Sequence, residues 1–291
     1  MARVMESCEF DVRASLDLPG PAERVPDAWL GVWRRTLLRN AAGDEDRATR
    51  VYWLQSARVH VDVRVPADRR GFDGVTGIDA LSRDGLVELA RQQGFAGFTQ
   101  VDVGTPDICT WHRRIDFSPP SDARDIGAMR FERPDVLLED GVDAPYHERW
   151  EREPASVGAS WGALVSRARM LSLYPGTPRC EASIADDGAA GFIARAGDFF
   201  MLARARSPEA GVLLARHRGR KLSDVVADPA VSLDEARQLV DFEISLGHVA
   251  PPSGAGPTIV LSTHPWRGGC AVPVRFDLST ESAAPTDPKE R

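Results

Sequence analysis

The chain has 291 residues, 43% hydrophobic and 27% charged, with a formal net charge of −7. That length suits two domains of ordinary size, each with enough apolar side chains for a core. The acidic balance argues against a nucleic-acid partner, which needs a concentrated basic surface, and no run of about 18 apolar residues is present to span a membrane.

Residues 1–16 carry Glu6, Glu9 and Asp11 and lack the apolar stretch of an export signal, so a cytoplasmic location is expected. Cys8, Cys109, Cys180 and Cys270 stand apart, with no C-x-x-C spacing, and read as free thiols. Cys109 lies in a strand-like run and is expected to be buried. There is no nucleophile-elbow, phosphate-loop or dinucleotide motif, so no cofactor is expected.

Taken in order, residues 30–40 read as a strand, and residues 41–46 as a turn of small and acidic residues. Residues 50–56 are aromatic and branched, as strands prefer. Residues 58–66 alternate strictly, with Val59, Val61, Val63 and Val65 on one side and His60, Asp62 and Arg64 on the other, until Pro66 ends the run. A helix follows, with Ser82 as N-cap, a Leu81/Leu86 staple and Gly94 as its stop. Residues 95–103 and 108–117 flank a turn at 104–107. Residues 126–132 and 136–139 flank another at 133–135, and Asp140-Gly141 favours a further reversal. Residues 146–152 alternate Tyr146, Glu148 and Trp150 against His147, Arg149 and Glu151.

Residues 153–160 are small and flexible in composition and read as a linker. Beyond them, 164–173, 190–196, 199–206, 258–262 and 272–278 are strand-like, and Gly197-Asp198 makes a two-residue hairpin turn. Ser232 and Glu235 form a capping box for a helix ending near Leu239. After it Phe242, Ile244 and Leu246 alternate with Asp241, Glu243 and Ser245. Residues 282–291 read as a loose tail. Many short strands with regular turns point to a sandwich or closed barrel, with one unit at 27–153 and a second at 161–279.

Several phrases occur in a fixed order: WLQ at 53–55, VDVRVP at 61–66, FAG at 95–97, TWHRRID at 110–116, DIG at 125–127, YHERW at 146–150 and STHPWRGG at 262–269. Together they resemble the fungal Hri-one protein family and its uncharacterised bacterial relatives. The resemblance implies a mainly β fold of two tandem lipocalin-like antiparallel β-barrels with a few short helices, one packed on each barrel. It implies no catalytic residues. At His60 the chain departs from the family's pattern, which more often has an aromatic hydroxyl there.

Five features of the sequence bear on chemistry. His60, Asp62 and Arg64 share one face of a strand. If that face looks into a barrel, Arg64 is placed to hold an anionic or carbonyl group; if it looks outward, the residues are solvated and the valines fill the core. Trp111 with Arg113, and Tyr146, Glu148 and Trp150, each line one side of a strand. A charge among aromatics needs a partner, and Arg113 with Glu148 is the expected pair, either a structural bridge or the polar floor of a pocket. His60, His112 and His147 are expected to be exposed rather than metal ligands, because cations share the faces of His112 and His147. No carboxylate pair can be placed across a common cleft. The basic stretch at 213–221 reads as a solvated face.

The leading expectation is a binder of a small, largely apolar molecule through Asp62, Arg64, Trp111, Arg113, Tyr146, Glu148 and Trp150. The alternatives are an isomerase- or cyclase-type enzyme in the same cavity, with Glu148 or Asp62 as acid or base, and a structural or protein-interaction module with a filled interior.

Overall fold

The computed structural model describes residues 23–70, 72–166, 189–250 and 256–272. Nine strands form the first sheet: β1 (Gly31–Arg39), β2 (Glu45–Asp46), β3 (Arg50–Gln55), β4 (Val59–Val65), β5 (Gln93–Asp102), β6 (Asp107–Asp116), β7 (Ile126–Arg133), β8 (Val136–Gly141) and β9 (His147–Arg152). All neighbours are antiparallel, and β9 returns to pair with β1, closing eight strands into a barrel with the short β2 beside β1. Closure leaves the barrel strands without a bare edge.

A second sheet holds β10 (Ser160–Ser166), β11 (Ala189–Ala196), β12 (Phe199–Arg204), β13 (Glu243–His248) and β14 (Thr258–Ser262), in chain order and antiparallel. Gly197 adopts φ +54° in the turn between β11 and β12, the conformation expected of the hairpin there. Among the described residues this sheet is open. The expected strand at 164–173 is displaced: β10 starts at Ser160, directly after a short 3-10 turn at Pro154–Ser156. Much of the rest of that expectation, and nearly all of 272–278, lies outside the described residues.

The strict alternation of β4 has the outcome that decides the fold. Val59, Val61, Val63 and Val65 are almost completely buried, but on the outside of the barrel, beneath the second sheet. They pack with Ala96 and Phe98 of β5 against Phe192 and Ala194 of β11, Met201 and Ala203 of β12, and Ile244 and Leu246 of β13. At about 1.5–3 kcal/mol for each fully buried aliphatic side chain, this seam is a principal stabilising surface of the molecule. The two layers approach so closely at Gly162 that a Cβ there would stand 2.6 Å from both Ser56 Oγ and Val59 Cβ.

Among the described residues four short helices, rather than one per half, extend the seam: α1 (Arg83–Leu89), α2 (Pro208–Ala215), α3 (Leu222–Ala227) and α4 (Leu233–Val240). Ser82 accepts from Gly85 N at the start of α1, and the Ser232/Glu235 box closes reciprocally at the start of α4, as their sequences predict. α1, from the first half, packs on α3 and α4, from the second, and Leu86, Leu89, Leu222, Val225 and Leu239 join the common core. The basic stretch at 213–221 runs from the end of α2 to the start of α3. Arg218 and Arg220 there are exposed and pair with Asp122 and Asp228.

Arginines and a glutamine stitch the halves through backbone carbonyls. Arg83 donates to Val226 O and Val231 O, Arg69 to Ser262 O, and Gln92 to Thr263 O. Arg206, from the second half, donates to Asp116 O and Phe117 O of the first and to Leu239 O, with its guanidinium beside the Phe117 and Phe242 rings.

Candidate functional site

Because the valines of β4 face outward, His60, Asp62 and Arg64 face the barrel interior. Register carries the same face round the barrel. Asp62 stands opposite Trp53 and Phe95; Thr99 lies opposite Trp111; Glu139 opposite Glu148; Leu137 opposite Trp150; Trp150 opposite Arg35. All seven residues expected to line the cavity therefore share one interior, and the outward alternative for Asp62 and Arg64 is overturned.

That interior is divided. Trp53 lies at its centre, with ring centroids 6.2 Å from Trp29, 6.4 Å from Trp33, 5.5 Å from Trp111 and 5.8 Å from Trp150. Five of the seven tryptophans thus form one packed cluster, mostly in edge-to-face contact. Trp29, held by a 3-10 turn just before β1, and Arg152, whose guanidinium lies 5.2 Å from Trp33, lie at the end where β1 begins.

The opposite end is charged. Arg64 donates to both oxygens of Asp62, at 2.8 and 3.3 Å. Arg35 joins Glu148 and Asp46, each at 2.7 Å. Glu139 accepts from Tyr146 Oη at 2.7 Å and from Trp150 Nε1 at 3.0 Å. Arg113 bridges Asp116 and Asp125 and stacks 3.6 Å above Phe95. The expected Arg113–Glu148 pair is not formed. Arg113 finds its carboxylates at the end of its own strand and just before β7, and the partner of Glu148 is Arg35, whose role the sequence reading missed because β1 and β9 meet only when the sheet closes.

Asp62, Glu139 and Glu148 are 2%, 3% and 4% exposed. Burial raises the carboxyl pKa of each. For Asp62 and Glu148 the neighbouring arginines oppose the rise; for Glu139 the Glu148 charge adds to it, and the carboxyl is held well above the usual range. Burial and the Glu139 carboxyl likewise raise the Tyr146 phenol. The Arg64 side chain, 23% exposed, reaches solvent from this end.

His60 is not the exposed ring that was expected. It is 0% exposed, edge-on to Phe95 at 5.6 Å, with Nδ1 3.0 Å from Thr99 Oγ1. His112 and His147 are partly exposed and remain apart from it, contacting Gln100 and Asp140 respectively. Among the described residues no three His, Cys, Asp or Glu side chains gather as a metal set. Cys109 is buried in the tryptophan cluster, where burial pushes its thiol well up, which disfavours nucleophilic use.

A second buried polar group escaped the sequence reading. On the face of β13 turned away from the barrel, Glu243 accepts from Ser245 Oγ at 2.6 Å and Arg267 Nε at 3.1 Å, with His264 Nδ1 at 3.4 Å. Burial pushes its carboxyl up, but the His264 hydrogen bond and the His264 and Arg267 charges outweigh it and bring the pKa to about 2. The only sequence signal was Glu243 in the polar row of an alternating strand.

The fold and site define a mainly β protein with a closed eight-stranded antiparallel barrel, a charged interior end and a second sheet packed on its outer wall. No family model matches the chain, and no curated protein does. Among solved structures it is similar to an uncharacterized protein from Saccharomyces cerevisiae, with 11% identity and a TM-score of 0.44 over 80% of this chain and 84% of that one. No helix of the described residues is long and apolar enough to cross a membrane.

Proposed function

We propose that the protein binds a small molecule at the charged end of the first barrel, with the tryptophan cluster as an apolar floor. One observation carries this reading: Asp62, Glu139, Glu148 and Arg35 are buried with Arg64 around one interior. Taking charges out of water costs several kcal/mol per ion, and well-packed apolar residues often replace buried pairs without loss of stability. A barrel that only needed filling has no use for such groups, whereas a site that must orient a ligand does. The ligand has a largely apolar body of modest size, since the five tryptophan rings already occupy much of the interior. The resemblance to the Hri-one family and a second, lipocalin-like closure belong to this proposal. The apolar face formed by Trp161, Ala163, Val165, Ile193, Phe200, Leu202 and Ile259 supports that second closure, because it gives the second sheet its own core on the side away from the first barrel.

Titration of the intrinsic tryptophan fluorescence with apolar probes and cell-extract metabolites tests the reading. A saturable shift that is lost in Trp111→Ala is expected. Silence throughout would instead select a structural module. An isomerase- or cyclase-type enzyme in the same cavity is the second reading, favoured by the raised carboxyls of Glu148 and Asp62, which is how a protein prepares a general acid. Turnover that survives both Glu148→Gln and Asp62→Asn removes it.

A further inference from the structure

We infer that the ligand of this barrel presents a hydrogen-bond donor, a hydroxyl or an N–H, to Nε2 of His60. The inference rests on the binding reading above and names the chemistry of the bound group.

The protonation of His60 follows from a chain of side chains. The Gln55 amide nitrogen donates to Ser56 O at 2.7 Å, so its Oε1 is the acceptor for both Trp53 Nε1 at 3.2 Å and Thr99 Oγ1 at 2.7 Å. Thr99 has one hydroxyl proton, and it is used on Gln55. Its oxygen must therefore accept from His60 Nδ1, which places the ring proton on Nδ1 and leaves a lone pair on Nε2. Burial, with the Arg113 and His112 charges, pulls the ring's pKa well below its ordinary value, so the ring stays neutral. Nε2 is fully buried and has no hydrogen-bond partner among the described residues.

Among the described residues no donor reaches that lone pair. Arg64 and Arg113 both lie over the Phe95 ring that His60 meets edge-on, but they donate to Asp62, Asp116 and Asp125. Farther round the interior, Glu139 and Glu148 are acceptors too. His60 stands opposite Gln55 and Gly97, on the far side of Asp62 from Arg64 along β4, so its open lone pair lies in the interior below the charged end. A carboxylate has no proton to offer that lone pair, while a hydroxyl or N–H completes it.

The test uses the full chain and four probes with one aromatic body: phenethyl alcohol, phenethylamine, phenylacetate and ethylbenzene. Binding is followed by tryptophan fluorescence, and the His60 ring by nitrogen NMR of histidine-labelled protein. The two donor probes are expected to bind about tenfold more tightly than ethylbenzene, as one additional hydrogen bond permits, and to move the Nε2 resonance. Phenylacetate gains nothing over the hydrocarbon. In His60→Phe, checked for folding by near-ultraviolet circular dichroism, the donor preference disappears and hydrocarbon binding stays. Should that variant not fold, the NMR shift in the native protein decides alone. Equal binding of all four probes, or a bound donor that leaves Nε2 unmoved, overturns the inference while the binding reading stands. No fluorescence response to any probe overturns both.

Discussion

At the scale of single residues, buried charge governs what can be changed. Arg35 and Glu148 are joined at 2.7 Å with side chains 5% exposed each. Arg35→Ala leaves an uncompensated carboxylate inside and is expected to cost about 3–5 kcal/mol by denaturant unfolding, more than exposed Arg218→Ala, whose pair contributes little. Two sets of carboxyls give opposite pH dependences. Glu243 has its folded pKa depressed to about 2, so the stability it contributes is present above its unfolded pKa near 4.5 and is lost as pH falls towards 2. That contribution is on the order of 3 kcal/mol, and Glu243→Gln should make the acid limb of a plot of stability against pH shallower by about that amount. Glu139 is raised, so its contribution is full below the unfolded pKa and disappears as pH rises through the folded one. Glu139→Gln keeps an acceptor for Trp150 and a polar partner for Tyr146, and should therefore leave stability at neutral pH unchanged or higher, with a flatter neutral limb. A marked loss at neutral pH would show that the ionised carboxylate is needed.

At the scale of elements, local chemistry decides where helices and turns begin. The Ser232/Glu235 box and the Ser82 cap are formed as local rules predict, and Ser232→Ala is expected to cost about 1 kcal/mol in thermal or denaturant unfolding. The missed helices, α2 and α3, have a mixed record of signals. α2 has an N-cap at Ser207 and proline at its first position, so its start is legible in the sequence. α3 spans only Leu222–Ala227 and has no side-chain cap, so its stability comes from Leu222, Val225 and Val226 entering the seam. Tertiary burial, which no local pattern encodes, makes that helix.

At the scale of the whole molecule, the two halves are one object because the barrel's outer wall is as apolar as its core. A chain ending after Val157 would expose the Val59–Val65 row together with Phe98 and Leu89. Such a fragment is expected to bind a hydrophobic dye and to aggregate more than the intact chain. Gly162→Val should separate the layers where Gly162 meets Ser56 and Val59 and lower stability without touching the barrel interior, which fluorescence of the tryptophan cluster would report as unchanged. Arg206 ties the halves from within. With three carbonyls depending on one guanidinium, Arg206→Ala is expected to cost at least about 3 kcal/mol, at roughly 1.5–3 for each hydrogen bond to a charged group.

Most strands are legible in the local sequence, because period-two alternation, turn residues and caps act over a few neighbours; the strand expected at 164–173 instead begins at Ser160. The same alternation shows which residues share a face: His60, Asp62 and Arg64 on one, four valines on the other, and likewise Tyr146, Glu148 and Trp150. It could not determine which face turns inward, since a strand buried on both sides presents valines to one apolar layer and charges to another with the same rhythm. Closure of β9 on β1, the exchange of Arg113 for Arg35 as the partner of Glu148, and the burial of His60 all depend on pairings across more than a hundred residues or on the second sheet lying over the first. Those are decided by packing in three dimensions, where the desolvation of each charge is settled by whichever distant side chain is placed to meet it.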